Sequence, residues 1–481
     1  MSGIRYDLLS KDEIEFIHRK GLQLLEKVGF KIDHPEAEAL LSQVGVIRNG
    51  RAYLSADQVQ SLIDENDVND FWLYNRNGDR AIHVKNGQSF FGPGSDALYQ
   101  IDPHSGEKRL TSLEDIANNV RLADYLPEYD FIMSMGVPQK LVGKKVFPIK
   151  NLYANVFAQM VKNTTKPMVT TLTSLDDIKE IHHIASIVAG GKDRFKENPF
   201  FIAYLEPISP LIIDREGANR ILYCAENGIP FVFAAGANLG SGAPINKVWG
   251  VLQGHAESLF GFVLAKLKNG DTKFVYGANT SAADMRTYQV AYGAPEWFTT
   301  VTMYAELGKY LNLPSWGTSG SSDAFHLDAQ FGSAAMEGIV KALISASTLI
   351  HDNGYAAHGE LNIPAAHVFV NDLIARVKRG GGRETITELF LDKGIEVIEE
   401  VSTTDIDFVS HETTLAGCRT EVWNAPKEWE RGVIEDFPGH DIEDLYTLKA
   451  QEILESHRPE VLDSVKSEQI DAYLSSGASK R

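Results

Sequence analysis

Cysteine is nearly missing from this chain. Cys224 and Cys418 are its two examples, far apart and without a CxxC pairing. That gives no zinc or redox signature and suits a reducing compartment. Long apolar runs are missing too. No stretch reaches the roughly 18 apolar residues that suggest a membrane span. The opening MSGIRYDLLSKDEIEF has no apolar signal core, so a cytoplasmic protein without membrane association is expected. Basic residues are in deficit: 46 Lys and Arg against 65 Asp and Glu leave a formal charge of −19. Such a surface repels phosphate backbones and makes nucleic acid an unexpected partner, while cationic ligands would suit it. GxSxG is absent, which removes the lipase-type nucleophile. GANLGSG (236–242) resembles a phosphate cradle but lacks the closing Lys-Ser/Thr.

What is present is a core. The 481 residues are 43% hydrophobic and 23% charged, which fits a globular chain of barrel size with additions. Residues 1–87 read as a small helix and hairpin layer. Ser10 with Glu13 and Ser55 with Gln58 are capping-box patterns, and Asn49-Gly50 and Asn77-Gly78 are hairpin turns. From 88 to 380 the chain settles into a rhythm of short apolar strands, polar or Gly-rich junctions and amphipathic helices. The strands fall near 89–91, 131–137, 168–172, 200–205, 231–235, 274–276, 314–316 and 343–350. Eight consecutive strand–helix units predict a (β/α)8 barrel; a doubly wound open sheet is the alternative, and no early GxGxxG follows a first strand. Residues 381–481 form a helical, acidic extension packed on the barrel, and the polar end 475–481 is expected to stay unstructured.

In a barrel the loops after the strands share one rim. The last of them, IHDNGYAAHGELNIP (350–364), carries His351, Asp352, Tyr355, His358 and Glu360. Rim aromatics are plentiful: Tyr99, Tyr204, Tyr276, Trp297, Trp316, Phe325 and Tyr355. Lys is scarce there, while Asp96, Glu206, Asp284, Asp323, Asp352 and Glu360 are present. Aromatic faces in an acidic cavity are what a fixed ammonium ion needs, at roughly 0.5–2 kcal/mol per ring. Any one of these rings could instead fill the core. Trp316 and Tyr355 flank Gly-rich polar loops and are read as facing a ligand. His351 and His358 have no third partner at metal-ligand spacing, so no metal is expected. His182 and His183 fall on a helix and are read as solvent-facing. Arg286 could clamp a carboxylate in a fork or pair with Asp284 or Glu296.

The set FGPGSDALYQID (91–102), TLTSLDD (171–177), PISPL (207–211), ADMRT (283–287), GAPE (293–296), GTSGSSD (317–323) and LDAQ (327–330) resembles the trimethylamine methyltransferase superfamily over nearly the whole chain. Founding members carry pyrrolysine near the last barrel strand. By the spacing of LIHDNGYAAHGE (349–360), Glu360 stands at that position here. The resemblance therefore implies the non-pyrrolysine branch, which demethylates quaternary amines such as glycine betaine. It implies methyl transfer to the Co(I) of a corrinoid protein, with no tightly bound cofactor on this chain. The implied roles are an ammonium cage of Tyr99, Trp316, Phe325 and Tyr355 and a carboxylate clamp from Arg286 or His358. Asp323 and Glu360 would balance charge or orient partners, with Glu360 and His358 as the catalytic candidates. The segment SHETTLAGCR (410–419) keeps His411 but departs from the family's histidine-rich pattern, so no role is carried to it. Direct transfer to another carrier such as tetrahydrofolate, and a non-catalytic betaine sensor, are the competing readings. A homo-oligomer is expected.

Overall fold

The computed structural model describes residues 7–142, 145–147, 149–382, 385–432, 439 and 441–476. Of the polar end expected to be unstructured, Ser475 and Ser476 instead continue the helix Ser464–Ser476, and the rest, from residue 477 onward, lies outside the described residues. Parallel strands Phe90–Pro93, Met168–Thr171, Phe201–Leu205, Phe231–Ala235, Phe274–Ala278, Trp316–Thr318 and Leu349–Asn353 are joined by an eighth segment at 131–133. The four central strands pair in continuous register, as in Met168↔Phe201, Ala203↔Phe231 and Phe231↔Phe274. Single bridges close the thinner seams, Ile132 to Met168 and Tyr276 to Ser315. The last strand returns to the first through Leu349↔Phe90 and Ile350↔Phe91, and the Asp130 N–H donates to the Phe91 carbonyl at 2.7 Å. Closure leaves a (β/α)8 barrel, with helices such as Leu175–Ala189, Arg215–Asn227 and Lys247–Lys268 outside it.

Local chemistry sets the element ends. Ser10, Ser112 and Ser174 each accept the N–H three residues on, and Glu13, Asp115 and Asp177 return the bond to the cap. Ser55 caps its helix without a side-chain bond, so the Ser55–Gln58 pattern does not close into a box. Asn49 and Gly50 take φ of 51° and 69°, the left-handed pair a two-residue hairpin needs. His182 is buried rather than solvent-facing, its Nδ1 3.0 Å from the Tyr223 hydroxyl; His183 is exposed.

The two ends of the barrel are finished differently. At the N-terminal end, the hairpin of Phe71–Tyr74 and Arg80–Val84 lays Phe71, Leu73, Ile82 and Val84 against Phe131, Val169, Ile202, Val232, Val275, Trp316 and Leu349. The N-terminal layer also reaches the other end. Ile212–Ile213, in the loop after Phe201–Leu205, pairs in parallel with Lys31 and Ile32 and becomes the edge of the N-terminal sheet. In the extension, Ile442–Ser456 buries Tyr446, Ala450 and Ile453, whereas Glu388–Thr403 buries none of its residues. Among the described residues no helix is long and apolar enough to cross a membrane.

Candidate active site

The C-terminal end of the barrel opens into a cavity of about 680 Å3. Its wall is assembled from strand ends: Asp96 after Phe90–Pro93, Thr171, Glu206 after Phe201–Leu205, Gly236, Asn279, and His351 and Asp352 at the end of Leu349–Asn353. Tyr153, Tyr204, Tyr292 and Tyr355 add phenol rings. Gly94 is required by this packing, because a Cβ there would stand 2.2 Å from the Tyr355 ring and 2.7 Å from the Asp352 carboxylate. Asp352 itself sits at φ 64°, a left-handed conformation that Asp tolerates better than most residues.

Four carboxylates line the cavity, Glu360 at its mouth and three at the strand ends. Asp352 is buried, and burial pushes its pKa up to about 7, while bonds from Tyr292 and Thr318 pull the other way. Glu206 is likewise pushed up to about 7 by the surrounding protein, despite the 2.6 Å bond from the Tyr204 hydroxyl. Asp96 is raised by the same burial, against a 2.6 Å bond from Ser95, with Asp352 adding repulsion. Asp96 and Glu206 still present surface to the cavity, so their desolvation completes only when a ligand displaces its water. The Asp96 N–H is donated to the Tyr355 hydroxyl.

His351 lies at the floor in its neutral form, its pKa lowered by burial to about 4. Its Nδ1–H donates to the Gly317 carbonyl at 2.8 Å, which leaves the Nε2 lone pair facing Asp352 Oδ2 at 3.3 Å. That contact is attractive only when Asp352 carries a proton, which agrees with its raised pKa.

The sequence-predicted residues scatter around this centre. Tyr355, His358 and Glu360 line the cavity, the last exposed at its mouth. Asp323 stands behind the wall and positions it: its carboxylate accepts the Tyr292 and Gly293 N–H groups at 2.7 and 3.0 Å and His358 Nδ1 at 3.1 Å. Trp316 does not line the cavity. The register pairs it with Leu349, while Thr318 pairs with His351, so the indole lies one inward layer deeper, roughly 6–7 Å along the strand. It supports the floor from below, 4.4 Å from the His351 ring and 5.6 Å from Tyr204. Tyr99 belongs to a rim sheet with Leu361–Asn362 and Lys108–Leu110, and its ring faces Lys108 Nζ at 4.6 Å instead of the cavity. Phe325 is exposed on the rim, edge-on to His358. Arg286 is 87% exposed and closed onto Asp284 at 2.6 Å. The structure thus brings together three of the eight and leaves the other five outside the cavity.

Two contributors carry no sequence signal of their own. Tyr153 and Arg220 come from helices Leu152–Asn163 and Arg215–Asn227, where they read as ordinary outer-helix residues. A count of Arg and Lys on barrel helices near the loop ends could have raised Arg220.

Comparison with known proteins gives the chain's relatives. The chain is 29% identical over 472 residues to a trimethylamine methyltransferase of Desulfitobacterium hafniense, covering 94% of this chain and 90% of the relative. It is 26% identical to a glycine betaine methyltransferase of another strain of that species, covering 73% and 72%. It is 24% identical to an L-carnitine:corrinoid methyltransferase of Eubacterium limosum, covering 87% and 84%. The family model described as Trimethylamine methyltransferase (MTTB) matches residues 2–479, and the chain belongs to that family.

Proposed function

We propose that this chain is a methyltransferase that demethylates a quaternary amine and passes the methyl group to a corrinoid protein. The observation that carries this reading is the cavity itself: Asp96, Glu206 and Asp352 face one space walled by four tyrosines. Burial is the larger cause of their raised pKa values, Asp352 adds repulsion at Asp96, and both add it at Glu206; a permanent cation beside them relieves that repulsion. The phenol faces add the cation–π attraction that an ammonium without N–H groups can still receive.

The chemistry needs little more than placement. When a quaternary ammonium loses a methyl group, the C–N electron pair stays on nitrogen and the amine leaves neutral. No acid is required. That suits a floor whose histidine is neutral and already committed through Nδ1. The reduced corrinoid of the partner supplies the electron pair for the new bond. This chain's residues fix the cation, exclude water and leave one methyl in line with the mouth. The mouth suits a protein partner, since Ile208, Ile245, Met285 and Tyr288 stand exposed on the rim loops and Trp249 in the first turn of Lys247–Lys268.

The test is to mix the protein with reduced cobalamin and quaternary or tertiary amines and follow the Co(I) absorbance. Its loss with a quaternary amine, and not with trimethylamine, is expected. Binding without spectral change, also in the presence of candidate corrinoid proteins, would support a sensor instead.

A further inference from the structure

Arg220 stands apart on the cavity wall. Among the described residues it is the one Arg or Lys that lines the space. Its guanidinium is pinned: Nη1 donates to the Leu172 carbonyl at 2.8 Å and Nε to the Glu216 carbonyl at 3.2 Å. Both acceptors are neutral main-chain oxygens. The Glu216 carboxylate one turn away is occupied elsewhere, accepting the Leu175 N–H at 2.7 Å. No carboxylate among the described residues stands within ion-pairing distance of Arg220, although four line the same cavity. Nη2 has no hydrogen-bond partner among the described residues, so a held guanidinium beside carboxylates it does not pair with can still donate to an incoming anion. Its charge is felt at Glu206 and Tyr153 but is not among the influences on Asp352. The cavity has polarity: Arg220 is fastened to the loop after Met168–Thr171, whereas Asp352 ends Leu349–Asn353, with Phe90–Pro93 and 131–133 between those strands in the barrel wall.

We infer that Arg220 receives a carboxylate borne by the substrate, so that the site selects a zwitterion with a quaternary ammonium at one end and a carboxylate at the other. The inference rests on the proposed function and narrows it. A simple cation would satisfy the floor and leave Arg220 unanswered; a betaine satisfies both. Arg286 and His358 were the sequence candidates for this role. Arg286 is closed on Asp284, and His358 Nδ1 is shared between the Val290 carbonyl at 2.9 Å and Asp323.

The test needs no variant to begin. Calorimetric titration of the full-length protein with glycine betaine and its methyl ester, and with carnitine and its methyl ester, keeps the ammonium and removes the negative charge. At least one zwitterion is expected to bind about tenfold or more tighter than its ester, the scale of a charged hydrogen bond. Arg220→Gln should erase that ratio, weakening the zwitterion roughly tenfold to hundredfold while both esters stay within about threefold. Arg220→Lys should keep part of the preference. Because the ratio is read within each variant, partial unfolding cannot imitate its loss. Equal binding of zwitterion and ester in both pairs, or an equal loss of both in Arg220→Gln, would overturn the inference. If neither zwitterion nor ester binds the wild type, while turnover of other quaternary amines persists, the inference falls and the functional reading stands. If nothing quaternary binds or reacts, both fall.

Discussion

At one end of the barrel, Leu73, Ile82 and Val84 from a hairpin join Val169, Val232 and Leu349 in one apolar cluster. At the other, a few residues along the same strands, His351 and Asp352 are as closed off from solvent as ordinary core residues. One end follows the hydrophobic effect and the other opposes it. The difference teaches where folding free energy is gained and where it is held back for a ligand. Trp316 marks the boundary: it belongs to the apolar layer by position and touches the polar layer through His351.

The comparison can be broken at its polar end first. Asp352→Asn removes a charge while keeping a residue that tolerates the left-handed backbone there. Methyl transfer is expected to fall at least about hundredfold, the scale of losing one preorganised electrostatic group. Thermal unfolding without ligand should be unchanged or slightly higher, since a costly buried acid is gone. A large drop in melting temperature would move Asp352 to the structural side.

Acidity gives the second test. Burial pushes the Asp352 carboxyl up to about 7 and raises Glu206 as well. A fixed cation favours their ionised forms, so binding lowers those values and releases protons. Affinity for a quaternary amine should therefore rise by up to about tenfold per pH unit for each group between pH 6 and 7 and level off above pH 8. Calorimetry in buffers of different ionisation enthalpy would count the protons released; none released would mean that the carboxylates do not answer the cation.

The apolar end should respond in the opposite sense. Leu73→Ala is expected to lose about 2–4 kcal/mol of stability in denaturant titration. Dissociation constants and turnover per folded molecule should stay within twofold. A catalytic loss beyond the folded fraction would show that the seal does more than close the barrel. The smallest effect is expected outside both ends. Arg286→Ala breaks an exposed pair with Asp284 and should leave the melting temperature essentially unchanged, with no change in substrate affinity.

Much of the frame was readable in the chain. Apolar runs such as 231–235 and 274–276 are short, β-rich and followed by Gly, and the boxes at Ser10 and Ser174 announce their helices. The site was legible as a location, because closure forces all strand ends to one rim. Its membership was less so. Whether an inward residue meets core or cavity depends on its layer, and two positions along a strand separate Trp316 from Thr318. Tyr99 and Phe325 were misplaced for a related reason: a rim loop can fold back into a sheet of its own or turn outward, and neither leaves a periodic trace. Arg220 reached the cavity from the middle of a helix, where a single Arg is the commonest of surface residues.

The two-residue strand Ile212–Ile213 has a consequence for anyone trimming this protein. It is the outermost member of the N-terminal sheet, yet it lies six residues past the Glu206 carboxylate. Leu211 beside it is fastened a second time, its N–H donating to Glu257 at 2.8 Å. Removing residues 1–87 would therefore do more than shorten the molecule. It would cut the guy-rope of an active-site loop, leaving Glu257 as one of its remaining moorings.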